Sequence, residues 1–102
     1  MSKTDAIQTA RQHISVPRRE AGAWVFSTYR PGRGTTISRG RPYAEALAAR
    51  RVAIAGEAAA IFAKRQGHAP ADVEEVSIFA EHLAQERPEM TFIEILDRAM
   101  RR

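Results

Sequence analysis

Residues 22–40 of this 102-residue chain read GAWVFSTYRPGRGTTISRG. Ala23 to Tyr29 gathers aromatic and β-branched side chains that suit a pleated surface, Arg30-Pro31-Gly32-Arg33-Gly34 interrupts them, and Thr35 to Arg39 resumes the extended pattern. Pro presets φ and Gly accepts a positive φ, so Pro31-Gly32 suits the two central positions of a type II turn. The stretch is therefore predicted to be a β-hairpin, with strands at about 23–29 and 35–40. Trp24, Phe26 and Thr28 share one face of the first strand, and Val25, Ser27 and Tyr29 share the other. Trp24 and Phe26 are expected in the core beneath a following helix. The alternative is an exposed aromatic available to a base or a partner.

Upstream of the hairpin, His13 to Val16 alternates and predicts a third strand at about 13–17, ended by Pro17, with Arg18 to Gly22 as a polar connection. Residues 1–12 read either as one or two helical turns, with Ser2 and Asp5 at capping-box spacing, or as a flexible arm. Downstream, Pro42 ends the sheet and Tyr43 opens a long Ala-rich helix. Its apolar stripe is Tyr43, Leu47, Ile54, Ala58, Ile61 and Phe62, with Arg50, Arg51, Glu57, Lys64 and Arg65 mostly off it. Gly56 marks either a close crossing or a break in that helix. Gly67 is placed to cap its end. A second helix is predicted over about 72–86, with Asp72 and Glu75 at capping-box spacing. A third follows the cap Thr91, with Glu94 three residues on and Met90 and Ile95 placed as a hydrophobic staple. The fold class is thus α+β in a single domain: a small three-stranded antiparallel sheet and long helix over 13–66, then a C-terminal helical hairpin over 71–102.

Composition limits the functions available. The chain has no Cys, hence no disulfide framework and no thiolate metal site, which fits a reducing cytoplasm. No apolar run approaches the roughly 18 residues of a membrane span, and the polar start does not read as a secretory signal, so no membrane partner is expected. His13, His68 and His82 stand on separate elements without a second ligand at metal spacing. No Ser lies in a nucleophile motif, and Gly32-Arg33-Gly34-Thr35-Thr36 lacks the lysine and the helix of a phosphate-binding loop. The sequence therefore predicts neither enzymatic activity nor a cofactor.

Charge is the informative property. The net charge of +4 divides unevenly: residues 1–41 carry eight Lys or Arg against two acids, residues 42–70 four against two, and residues 71–102 four against eight. The hairpin and its approach hold Arg18, Arg19, Arg30, Arg33, Arg39 and Arg41. A two-stranded ribbon fits the major groove of duplex DNA, and arginines along it meet phosphates or read guanine. These six are the candidate nucleic-acid-binding residues, and the expected function is that of a bacterial-type DNA-binding regulator. The alternative is an inhibitor that covers a partner protein. Although 44% of residues are hydrophobic, much of that is Ala, and the apolar surplus at Ile78, Phe79, Phe92, Ile93, Ile95, Leu96 and Met100 predicts a symmetric homodimer.

The order Gly22-Ala23-Trp24-Val25-Phe26-Ser27, Thr36-Ile37-Ser38-Arg39-Gly40, Tyr43-Ala44-Glu45-Ala46-Leu47 resembles the strand, strand, helix order of HicB-type antitoxins over residues 14–65. That resemblance implies binding of a small toxin, usually with an added DNA-binding element. Where the family has an acidic Pro-Asp-x-Pro-Gly loop, this chain has Tyr29-Arg30-Pro31-Gly32-Arg33. The same Trp, Gly, Ser and Ala positions are similar to the arm-type DNA-binding domains of phage integrases, three strands and a helix, which implies DNA binding by the basic hairpin.

Overall fold

A helix, three strands and three further helices follow one another along the chain: α1 Lys3–His13, β1 Arg18–Glu20, β2 Ala23–Arg30, β3 Gly34–Arg41, α2 Tyr43–Arg65, α3 Pro70–Glu86 and α4 Phe92–Met100. The computed structural model describes residues 2–30 and 34–101, without the side chains of Arg30 and Arg41. The α+β class, the hairpin and the helical hairpin stand as the sequence predicts. The strands form one antiparallel sheet in the order β1-β2-β3. The β2–β3 ladder runs from Arg30↔Gly34 through Thr28↔Thr36 and Phe26↔Ser38, then slips so that Trp24 pairs with Arg41. The extra residue of β3 falls at Arg39-Gly40, and Gly40 takes the φ of 77° that such a bulge favours. The Pro31-Gly32 turn lies outside the described residues.

Residues 13–17 do not form the predicted strand. His13 completes α1, only Ile14 bridges to Thr28, and Ser15 N–H donates to Ser27 O at 2.9 Å. Ala6, Ile7, Ala10 and Ile14 are all buried, so the helical period of this apolar set prevails over the alternation seen in its last four residues. The Ser2 hydroxyl caps the helix by accepting from Asp5 N–H. Strand pairing resumes after Pro17, shifted by one residue, where the missing proline N–H leaves the ladder. The segment expected to be a polar connection is therefore β1, joined to β2 by the two-residue turn Ala21-Gly22. Both turn residues have positive φ, 51° and 81°, the signature of a type I′ turn. Ala is strained there, whereas Asn tolerates it. Ala21→Asn is accordingly expected to stabilise the protein by about 1 kcal/mol, read as a rise in Tm of about 4–8 °C. A fall in Tm would contradict this account of the turn.

α2 is continuous. Gly56 marks a close crossing with α3: a Cβ built there would stand 2.6 Å from Glu81 Cγ, and the Ser77 hydroxyl donates to Gly56 O at 2.9 Å. Beyond its end, His68 N–H donates to Ala63 O and Gly67 N–H to Lys64 O, with Gly67 at φ 84°, which together make a Schellman cap. α3 starts at Pro70 rather than Asp72. Its N-cap is Ala69 and no side chain caps it, so the Asp72/Glu75 box is not used. The box at Thr91 and Glu94 is complete in both directions.

The core joins α1, β2 and all three later helices. Ile14, Ile54, Ile95 and Leu96 are its largest fully enclosed side chains, among Ala55, Ala58, Ala59, Ala80 and Ala99. Small residues let the helices approach closely. Three sequence expectations are corrected here. Trp24 is only half-buried, its ring 4.5 Å from that of Tyr43, while Phe26 belongs to the core. Tyr43 and Leu47 are exposed, and it is Ala46 between them that the start of α2 buries. Glu57, Arg50 and Arg51, expected off the stripe, point inward instead.

Candidate nucleic-acid interface

β3 is the outer strand of the sheet, while β2 is flanked by β3 on one side and by β1 and Ile14-Ser15 on the other, and its Tyr29 ring meets His13. Val25 and Phe26, adjacent and so on opposite faces, are both buried. Farther out, Tyr29 is 50% exposed, and Thr35, Thr36, Ile37, Arg39 and Gly40 are exposed in β3. Neighbouring residues exposed in succession mean that both faces of β3 are open, and among the described residues no strand pairs with its outer edge. At about 3.3 Å per residue each eight-residue strand is about 26 Å long, a suitable size for a DNA groove.

The charged residues of the sheet are Arg18, Arg19, Arg30, Arg39 and Arg41 against the single acid Glu20. Arg18 and Arg19 lie within β1 opposite Val25 and Trp24, and their side chains are exposed. Arg39 is 60% exposed and reaches across β2, where Nη1 donates to Glu20 Oε1 at 3.3 Å. Arg18 Nε donates to Glu20 Oε2 at 3.2 Å. The structure thus brings Arg18, Arg19 and Arg39 onto one sheet. The backbones of Arg30 and Arg41 end the two ribbon strands, and Arg33 lies outside the described residues.

The helices treat their cations differently. Arg50 Nε donates to Ser15 O at 2.9 Å and Nη2 to Ile14 O at 3.3 Å, fixing the α1–β1 connection to α2. Burial, then the nearby Arg11 charge, lowers its pKa from the ordinary guanidinium value. Arg51 donates to Ala84 O, Arg87 O and Met90 O. Its guanidinium lies 5.9 Å from the Phe92 ring, and that of Arg11 lies 5.4 Å from the same ring. Lys3 pairs with Asp97 at 2.7 Å. These cations are engaged in holding helices together, whereas Arg18, Arg19 and Arg39 of the sheet are exposed. Arg51, expected off the apolar stripe by its residue type, falls four residues after Leu47 and three before Ile54, on the stripe itself.

A groove of about 540 Å³ runs between the ribbon and the helices, walled by Phe26, Thr28, Thr36 and Ser38 on one side and by α2 and α3 on the other. Glu45 and Glu81 stand in its walls, and among the described residues Arg51 is the arginine that lines it. The groove therefore does not favour a polyanion.

His13 Nδ1 is 3.5 Å from Glu57 Oε1 and among the described residues accepts or donates no hydrogen bond, while its ring meets Tyr29 edge-on with centroids 5.9 Å apart. One imidazole and one carboxylate make no ligand set. Among the described residues no three His, Cys, Asp or Glu are grouped to hold a metal, and no helix is long and apolar enough to cross a membrane. Comparison with family models, with curated proteins and with solved structures finds no match to this chain.

Proposed function

We propose that the protein is a non-enzymatic, DNA-binding regulator that lays its basic β-ribbon against duplex DNA. The observation that supports this is the division of charge between layers: the sheet carries five arginines and one acid, while α3 and α4 carry Asp72, Glu74, Glu75, Glu81, Glu86, Glu94 and Asp97. Opposite charge on the two parts orients the molecule toward a polyanion and directs the sheet to it. The exposed ribbon supplies a shape that enters the major groove, and Arg side chains along it supply phosphate and guanine contacts.

Electrophoretic shift of a random duplex across a salt series tests the proposal. Binding is expected at about 50 mM salt and should fall steeply toward about 200 mM, because each phosphate contact releases counterions. No binding at the lower salt would refute the reading. A second reading, an inhibitor that covers a partner protein, draws on Ile78, 47% exposed on the acid-rich α3. Ile93, 40% exposed on α4, together with Ile78 gives the proposed homodimer an apolar surface to use. Sedimentation at micromolar concentration should show twice the 11.3 kDa chain mass if that pairing forms.

A further inference from the structure

Glu20 is the only acid in the sheet, and it sits at the end of β1, against the strained Ala21-Gly22 turn that returns the chain into β2. Its carboxylate takes one oxygen to Arg18 on its own strand and the other to Arg39 on the far strand. Glu20 pairs with Ala23 on the intervening strand, so the contact with Arg39 spans β2. The three side chains remain well exposed, at 60%, 42% and 60% for Arg18, Glu20 and Arg39. An exposed ion pair contributes little to stability, so the cluster has no evident task in holding the fold. Its geometry is that of two guanidiniums converging on one oxyanion, the arrangement that suits a phosphate.

We infer that Arg18 and Arg39 form a binding site for a phosphodiester of the nucleic-acid backbone, and that Glu20 occupies this site in cis until nucleic acid displaces it. The inference rests on the DNA-binding reading above and adds a regulatory element to it. The Glu20 carboxylate stands where two non-bridging phosphate oxygens would bind, accepting from Arg18 Nε and Arg39 Nη1. A polyanion takes its place by mass action. Glu20 thus lowers affinity for weakly held, non-specific duplex and leaves binding to sites whose other contacts offset its displacement. The type I′ turn fixes the Glu20 backbone beside β2 and so keeps the carboxylate within reach of both arginines.

The test compares wild type, Glu20→Gln, Glu86→Gln and Glu20→Gln in an Arg18→Ala/Arg39→Ala background, each binding the same random duplex across a salt series. Glu86→Gln removes the same charge from the end of α3 and reports the general electrostatic effect. Glu20→Gln is expected to bind roughly tenfold more tightly than wild type at about 50 mM salt, with a log–log slope close to that of wild type, since both complexes make the same phosphate contacts. The gain should exceed that of Glu86→Gln and should disappear without the two arginines. A gain equal to that of Glu86→Gln, or one that persists without Arg18 and Arg39, overturns the inference while leaving the DNA-binding reading in place. If neither wild type nor Glu20→Gln binds at about 50 mM salt, both fall together. Thermal melts of each variant verify that the comparison is between folded proteins.

Discussion

Arg51→Ala is expected to cost about 3 kcal/mol of stability, with a fall in Tm of about 12–24 °C. The guanidinium donates to Ala84 O and Arg87 O, in the last turn and C-cap of α3, and to Met90 O, just before the cap of α4. Carbonyls at a helix C-terminus lack intrahelical partners and carry the negative end of the dipole, so a cation placed among them satisfies two needs at once. Ala84 is buried and Met90 half-buried, which leaves little water to replace the lost donors. Removing the side chain also opens the space beside Phe92, over whose ring it lies. Arg51→Lys keeps the charge but offers a compact ammonium that cannot span three carbonyls, and it should recover only part of the loss. Urea denaturation of the three proteins decides the matter. A difference under about 0.5 kcal/mol between wild type and Arg51→Ala, the usual range for surface substitutions, would show that these bonds are not what joins the helical hairpin to α2.

The position of Arg51 in the sequence points to that role, while its residue type points away from it. A periodicity argument assigns Arg to solvent by residue type, whereas position places Arg51 on the stripe between Leu47 and Ile54. A charged residue on an apolar stripe asks for buried acceptors, and the nearest are the free carbonyls at the end of another helix. Elements with local signatures were legible: the ribbon from its aromatic and β-branched strands, α4 from Thr91 and Glu94, and the end of α2 from Gly67. β1 was not, since Arg18-Arg19-Glu20 has no apolar alternation and Ala21 does not announce a type I′ turn. Its pairing is decided by β2. For α1, the helical and the alternating patterns coincide near Ile14, and only packing against α2 separates them. Of the six candidate arginines, sequence placed Arg18 and Arg19 at the approach to the sheet. That Arg39 shares an acid with Arg18 across an intervening strand depends on a register no local pattern predicts.

Replacing Arg18, Arg19 and Arg39 together by Ala should weaken duplex binding on the order of 10³-fold at about 50 mM salt, and lower the log–log salt slope by about 2.7, if each arginine holds one phosphate. The effect is large because nucleic-acid contacts by cations multiply in the equilibrium constant, each contributing about 0.9 to the slope on duplex DNA. The fold should survive. All three side chains are exposed, and the two ion pairs that tie Arg18 and Arg39 to Glu20 are surface pairs, of a kind that contributes about 0–1 kcal/mol. Stability and binding therefore separate: Arg51→Ala should unfold the protein more easily without being a contact, while the triple variant should melt near wild type and lose DNA. An inhibitor working through its acidic helices would give the opposite pattern, tolerating the triple change and losing its protein partner on substitution of Glu74 or Glu86, both exposed on α3. A triple variant that melts normally and binds duplex DNA with undiminished slope would remove the sheet from consideration as the nucleic-acid surface.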